Sequence, residues 1–73
     1  MTGSELSAGT KVRVGRLGST SGWFVKKKYL TNRQLGATGT VTGYFAGHGG
    51  EVLAVKHDNG AVAAYSVEEL RPI

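Results

Sequence analysis

The chain has no cysteine, a single proline and no long apolar run in its 73 residues. Without cysteine there is no disulfide framework, no thiolate nucleophile and no thiolate zinc site, so stability rests on packing alone. The missing apolar run excludes a membrane-spanning helix, and residues 1–9 have neither the basic start nor the apolar body of a secretory leader, which places the chain in the cytoplasm. Length allows one domain, and a domain of this size buries only about 60% of the surface its unfolded chain exposes. Acidic residues are scarce, five against nine basic ones, for a net charge of +4.

Residues 1–10 are small and polar and read as a flexible tail; residues 11–73 read as the folded domain. Lys11-Val12-Arg13-Val14 alternates charge with valine, as a half-buried strand does. From Gly15 to Gly36 the period is broken by Gly15, Gly18 and Gly22, and this stretch reads as a long loop whose apolar arm, Trp23-Phe24-Val25 with Tyr29 and Leu30, packs over one mouth of the fold. Thr38 to Phe45 and Glu51 to His57 follow as a hairpin with a glycine-rich tip at residues 46–50. Asn59-Gly60 is the preferred two-residue turn into a fourth strand, Ala61 to Tyr65. Ser66 is placed to cap one helical turn over Val67-Glu68-Glu69, and Leu70 re-enters the core as a last short strand. The expected fold is all-β: a five-stranded SH3-like barrel with a long loop after the first strand and one short helical turn before the last.

Lys11-Val12-Arg13-Val14 followed by Gly36-Ala37-Thr38-Gly39-Thr40-Val41, with the ending Glu69-Leu70-Arg71-Pro72, resembles the glycine-paired motif of the KOW and translation-protein SH3-like families. Gly39-Thr40-Val41-Thr42-Gly43-Tyr44-Phe45 and Gly60-Ala61-Val62-Ala63-Ala64-Tyr65-Ser66-Val67 also resemble the plasmid-borne type II dihydrofolate reductases. That second resemblance implies a homotetramer whose pore is lined by a Val-Gln-Ile-Tyr strand. Here the strand is Val62-Ala63-Ala64-Tyr65, so alanines stand where the family places its glutamine and isoleucine. The shared residues are mostly those the barrel itself demands, so both matches speak for fold before function.

Charge carries the functional signal. Seven of the nine basic residues, Lys11, Arg13, Arg16, Lys26, Lys27, Lys28 and Arg33, fall between positions 11 and 33 with no acid among them. Residues 37–73 hold only Lys56 and Arg71 against four acids and read as the acidic remainder. Basic side chains release counterions from phosphates and aromatic rings stack on bases, so these residues with Trp23, Phe24 and Tyr29 form the candidate nucleic-acid surface. The same loop suits docking onto an acidic protein, and self-association is left open. A run of lysines with covered aromatics is also what an ordinary soluble surface presents.

No catalytic constellation emerges, and no cofactor or metal site is expected. His48 in the glycine-rich tip and His57 beside Asp58 read as exposed turn residues without a partnered nucleophile. The two ends of the third strand stand about 20 Å apart, too far to share a metal. Gly47-His48-Gly49-Gly50 lacks the lysine and hydroxyl residue of a phosphate loop.

Overall fold

The computed structural model describes residues 6–45 and 51–73; the expected glycine-rich tip, His48 and the first five residues of the expected tail lie outside the described residues. The order of elements is β1 Lys11–Val14, α1 Lys27–Thr31, β2 Thr38–Tyr44, β3 Val52–His57, β4 Val62–Ser66, a 3-10 turn at Val67–Glu69 and β5 Leu70–Pro72. The five strands form one antiparallel sheet in the order β4-β3-β2-β1-β5, so the fold is all-β. β4 and β5 stand at its two edges, and no ladder joins them among the described residues.

Alternation sets the two faces. Val12 and Val14 of β1, Val41 of β2, Leu53 and Val55 of β3, Ala63 and Tyr65 of β4 and Leu70 of β5 form a single buried cluster. Fully burying each of the larger side chains is worth roughly 1.5–3 kcal/mol. The register breaks between Val41 and Gly43, a bulge that leaves Thr42 exposed and without a register partner, its hydroxyl donating to Ala54 O at 3.3 Å.

Four local expectations are corrected. The tail is fixed well before Lys11: Leu6 lies in the core cluster, and the Gly9 amide donates to Val41 O at 2.7 Å. The long loop contains a helix, α1, which packs on β4. Between β3 and β4 the loop closed by His57 N–H to Ala61 O at 2.7 Å has three residues, Asp58, Asn59 and Gly60, and Gly60 N–H donates to His57 O at 2.8 Å. Gly60 alone takes the left-handed conformation (φ +91°), whereas a two-residue Asn-Gly turn needs positive φ at both central residues. Finally, His57 is no exposed turn residue, because its side chain is buried beneath the sheet end at 4% exposure.

Both sheet edges are blunted. The backbone groups of Val62, Ala64 and Ser66 that point away from β3 are met by side chains: Asn32 Nδ2 donates to Val62 O at 2.9 Å, Arg33 Nη1 to Ala64 O at 2.8 Å, and Ser66 N–H to Glu69 Oε1 at 3.0 Å. On the far side β5 is three residues long and ends in Pro72, which has no amide to offer.

Candidate functional site

Two polar clusters hold the loop to the sheet and decide which side chains remain at the surface. The first is centred on Glu69, which the 3-10 turn places inside the protein in a capping box with Ser66. Its carboxylate accepts from Arg33 Nη2 at 2.7 Å, from the Ser66 amide at 3.0 Å and from the Gly18 amide. Burial pushes the Glu69 carboxyl up, but the Arg33 hydrogen bond and the two amides outweigh it and hold the group below its ordinary range. Arg33 is therefore removed from the expected basic surface. Its side chain is only 6% exposed, paired with Glu69, and its guanidinium lies against the rings of Trp23 (4.9 Å) and Tyr65 (5.2 Å).

The second cluster joins His57, Tyr65 and the loop backbone. Nδ1 of His57 lies 3.0 Å from Thr38 O and Nε2 lies 2.7 Å from the Tyr65 hydroxyl, which also accepts from the Gln34 amide at 2.7 Å. A carbonyl only accepts, so in the neutral imidazole Nδ1 carries the hydrogen and Tyr65 O–H donates to Nε2. Burial raises the Tyr65 phenol above its ordinary value, partly opposed by the Gln34 amide and the Arg33 charge. Both imidazole nitrogens are thus engaged in structural hydrogen bonds. Among the described residues no group of three acidic or histidine side chains is arranged to hold a metal.

The remaining sequence-predicted residues fall into two surface groups. Lys11 and Arg13 project from the exposed face of β1. The register brings two further cations to them: Lys56 lies across Thr40 from Lys11, and Arg71 pairs directly with Arg13. Two cross-strand rows result, Lys11–Thr40–Lys56 and Arg71–Arg13–Thr38. All four basic side chains are exposed, and none makes an ion pair among the described residues. The second row is bounded by Asp58, whose Oδ2 accepts from Thr38 Oγ1 at 2.8 Å.

Lys26, Lys27 and Lys28 form the other group, exposed at the start of α1. Of the three aromatic residues read as stacking groups, Trp23 is half-buried against Arg33, and Tyr29 is half-buried against Phe45 at 5.1 Å between ring centres. Phe24 is 88% exposed. Arg16 pairs with Glu68 at 3.7 Å, an exposed contact of little energetic consequence. A cleft of about 270 Å³ opens beside it, lined by Trp23, Val52, Ser66 and the acids Glu51, Glu68 and Glu69, so its charge is mixed.

Lys56 and Arg71 were hidden in the sequence because they lie in its acidic half. The signal that would have found them is the outward phase of Lys56 between Val55 and His57 and of Arg71 after Leu70, combined with the strand order. No helix is long and apolar enough to cross a membrane among the described residues. No family model matches the chain, and neither a curated protein nor a solved structure matches it.

Proposed function

We propose that the chain is a non-enzymatic, SH3-like binding module of the cytoplasm that engages nucleic acid through basic side chains, without a cofactor. One observation carries the reading: the sheet register gathers Lys11, Arg13, Lys56 and Arg71 on one exposed face with no ion pair among the described residues. Cations without an intramolecular partner are those that release counterions when phosphates arrive. The three lysines at the α1 start add a second exposed positive group.

A second reading, docking onto an acidic protein, is favoured by Phe24, which stands 88% exposed two residues before the lysine run. An exposed ring next to cations suits an acidic segment with an apolar anchor. The reductase resemblance is weakened further by the positions that would line its pore: Ala63, Ala64 and Tyr65 are fully buried within the single chain, and the Tyr65 hydroxyl is engaged by His57 and Gln34.

Fluorescence anisotropy with a labelled mixed-sequence oligonucleotide and with a labelled glutamate-rich peptide at matched ionic strength separates the two readings. Salt-sensitive binding of the oligonucleotide with a weaker peptide response supports the nucleic-acid reading. Binding of the peptide alone supports protein docking, and binding of neither at low salt contradicts both.

A further inference from the structure

We infer that the exposed face formed by Lys11, Arg13, Lys56 and Arg71 is a platform for the sugar-phosphate backbones of a nucleic-acid duplex, engaged without reading base identity. The inference rests on the nucleic-acid reading above and specifies its ligand.

The first support is the shape of the charge. Lys11 and Arg13 lie two residues apart on one strand, about 7 Å by strand rise. Lys56 stands on β3 and Arg71 on β5, with β2 and β1 between them. Across the strands three spacings separate them by about 14 Å, to which the two-residue offset between the rows adds. The four cations therefore form a two-dimensional patch. Its breadth somewhat exceeds the width of the B-form major groove, about 12 Å, so cations at its two sides can meet the phosphate rows that flank the groove. A lone strand follows a line and would leave one side of such a patch unused.

The second support is what lies between the cations. The positions sharing this face within the two rows are Thr38 and Thr40, and no ring is among them. Binding of unpaired bases depends on aromatic platforms worth about 1–3 kcal/mol per base. Trp23 and Tyr29, which could have supplied them, are packed against Arg33 and Phe45. The Thr40 hydroxyl, between Lys11 and Lys56, is instead suited to a phosphate oxygen, the kind of contact that positions a protein on a duplex without specifying sequence, whereas the Thr38 hydroxyl donates to Asp58. Asp58 at the end of the second row repels phosphate and fixes the boundary of the patch.

The test is a titration of the full chain with a short mixed-sequence DNA duplex, the corresponding RNA duplex, and each isolated DNA strand, over a series of salt concentrations. A duplex is expected to bind more tightly than either strand. Its log K should fall against log salt with a slope of about −3.6 for four phosphate contacts. Lys56→Ala and Arg71→Ala should each flatten that slope by about 0.9, with duplexes of scrambled sequence bound within about twofold of one another. Phe24→Ala should leave duplex affinity within about twofold, since no stacked base is involved. Binding of both duplexes or of one alone supports the inference and identifies the form preferred. Tighter binding of the single strands, with Phe24→Ala damaging and Lys56→Ala silent, overturns the duplex platform while leaving nucleic-acid binding intact. Failure of every nucleic acid to bind at low salt overturns the underlying reading as well.

Discussion

Gly39 has no room for a side chain. A Cβ there would lie 2.6 Å from Lys56 O and 2.8 Å from Val55 Cγ1, and the nearer of these atoms is backbone that cannot turn aside. Gly36 is constrained differently: its φ is +82° and open space surrounds the missing Cβ. Gly36 thus depends on its left-handed backbone, whereas Gly39 has no positive φ and depends on space alone, and the substitutions should differ accordingly. Gly36→Ala is predicted to cost about 1–2 kcal/mol in urea unfolding. Gly39→Val should prevent folding altogether, because overpacking in contact with backbone adds to the loss of β2–β3 pairing. A Gly39→Val protein that melts like the parent would contradict the close approach.

Arg33 and Glu69 are the other decisive residues, and their pairing was not legible. They are 36 positions apart, and in sequence Arg33 belongs to a basic cluster while Glu69 belongs to an acidic turn. Only the fold shows that each is the other's buried partner. Arg33→Ala leaves a buried carboxylate with two amides, a loss of about 3–5 kcal/mol that a domain this small is not expected to survive. Arg33→Lys keeps the charge but not the fork and should give a folded, less stable protein. The pH dependence follows from the same site. The folded-state pKa of Glu69 is depressed, so the unfolded chain takes up its proton first as pH falls. Its stabilisation is fully present above the ordinary carboxylate range, about pH 4.3, and is lost as pH falls through the lower folded value. Urea midpoints measured through the acid range should show this fall, and Glu69→Gln should flatten it.

Among the elements, the strands were legible and the helix was not. Alternation in Lys11–Val14 and the valine-rich run of β3 mark strands directly, and the Ser66 turn with its acidic pair was readable from capping chemistry. α1 carries no such mark: it is one turn long, starts after Lys26 without a side-chain cap, and contains no buried residue. A helix this short does not form on local propensity. It is held by Tyr29 against Phe45, sixteen positions on, and by the hydrogen bonds of Asn32 and Arg33 to the β4 edge, 30 and 31 positions on, contacts that no local pattern announces. Asn32→Ala removes the group that covers Val62 O and should cost about 1 kcal/mol. Hydrogen exchange should then quicken in α1 and β4 while β1 and β2 stay protected. Uniform exchange across all strands would show that the loop does not guard this edge.

At the scale of the whole molecule, the linear charge pattern and the spatial one differ. The sequence puts its positive charge between residues 11 and 33 and a mild negative balance after residue 37. Folding withdraws Arg33 into the interior, pairs Arg16 with Glu68, and brings Lys56 and Arg71 beside Lys11 and Arg13. Lys27→Glu should leave the fold unchanged and modestly reduce retention on a phosphate-bearing matrix. Lys56→Glu should reduce it more, because Lys56 belongs to the face proposed to meet phosphates.

Binding at the β1–β5 basic face can be read residue by residue in an amide NMR titration of the labelled domain with a short mixed-sequence oligonucleotide at low and moderate salt. Shifts concentrated on Lys11, Arg13, Thr40, Lys56 and Arg71, with a weaker set at Lys26 to Lys28 and all reduced by salt, are the predicted result. A spectrum that does not change at low salt, or shifts confined to the cleft beside Trp23 and Glu68, would contradict it.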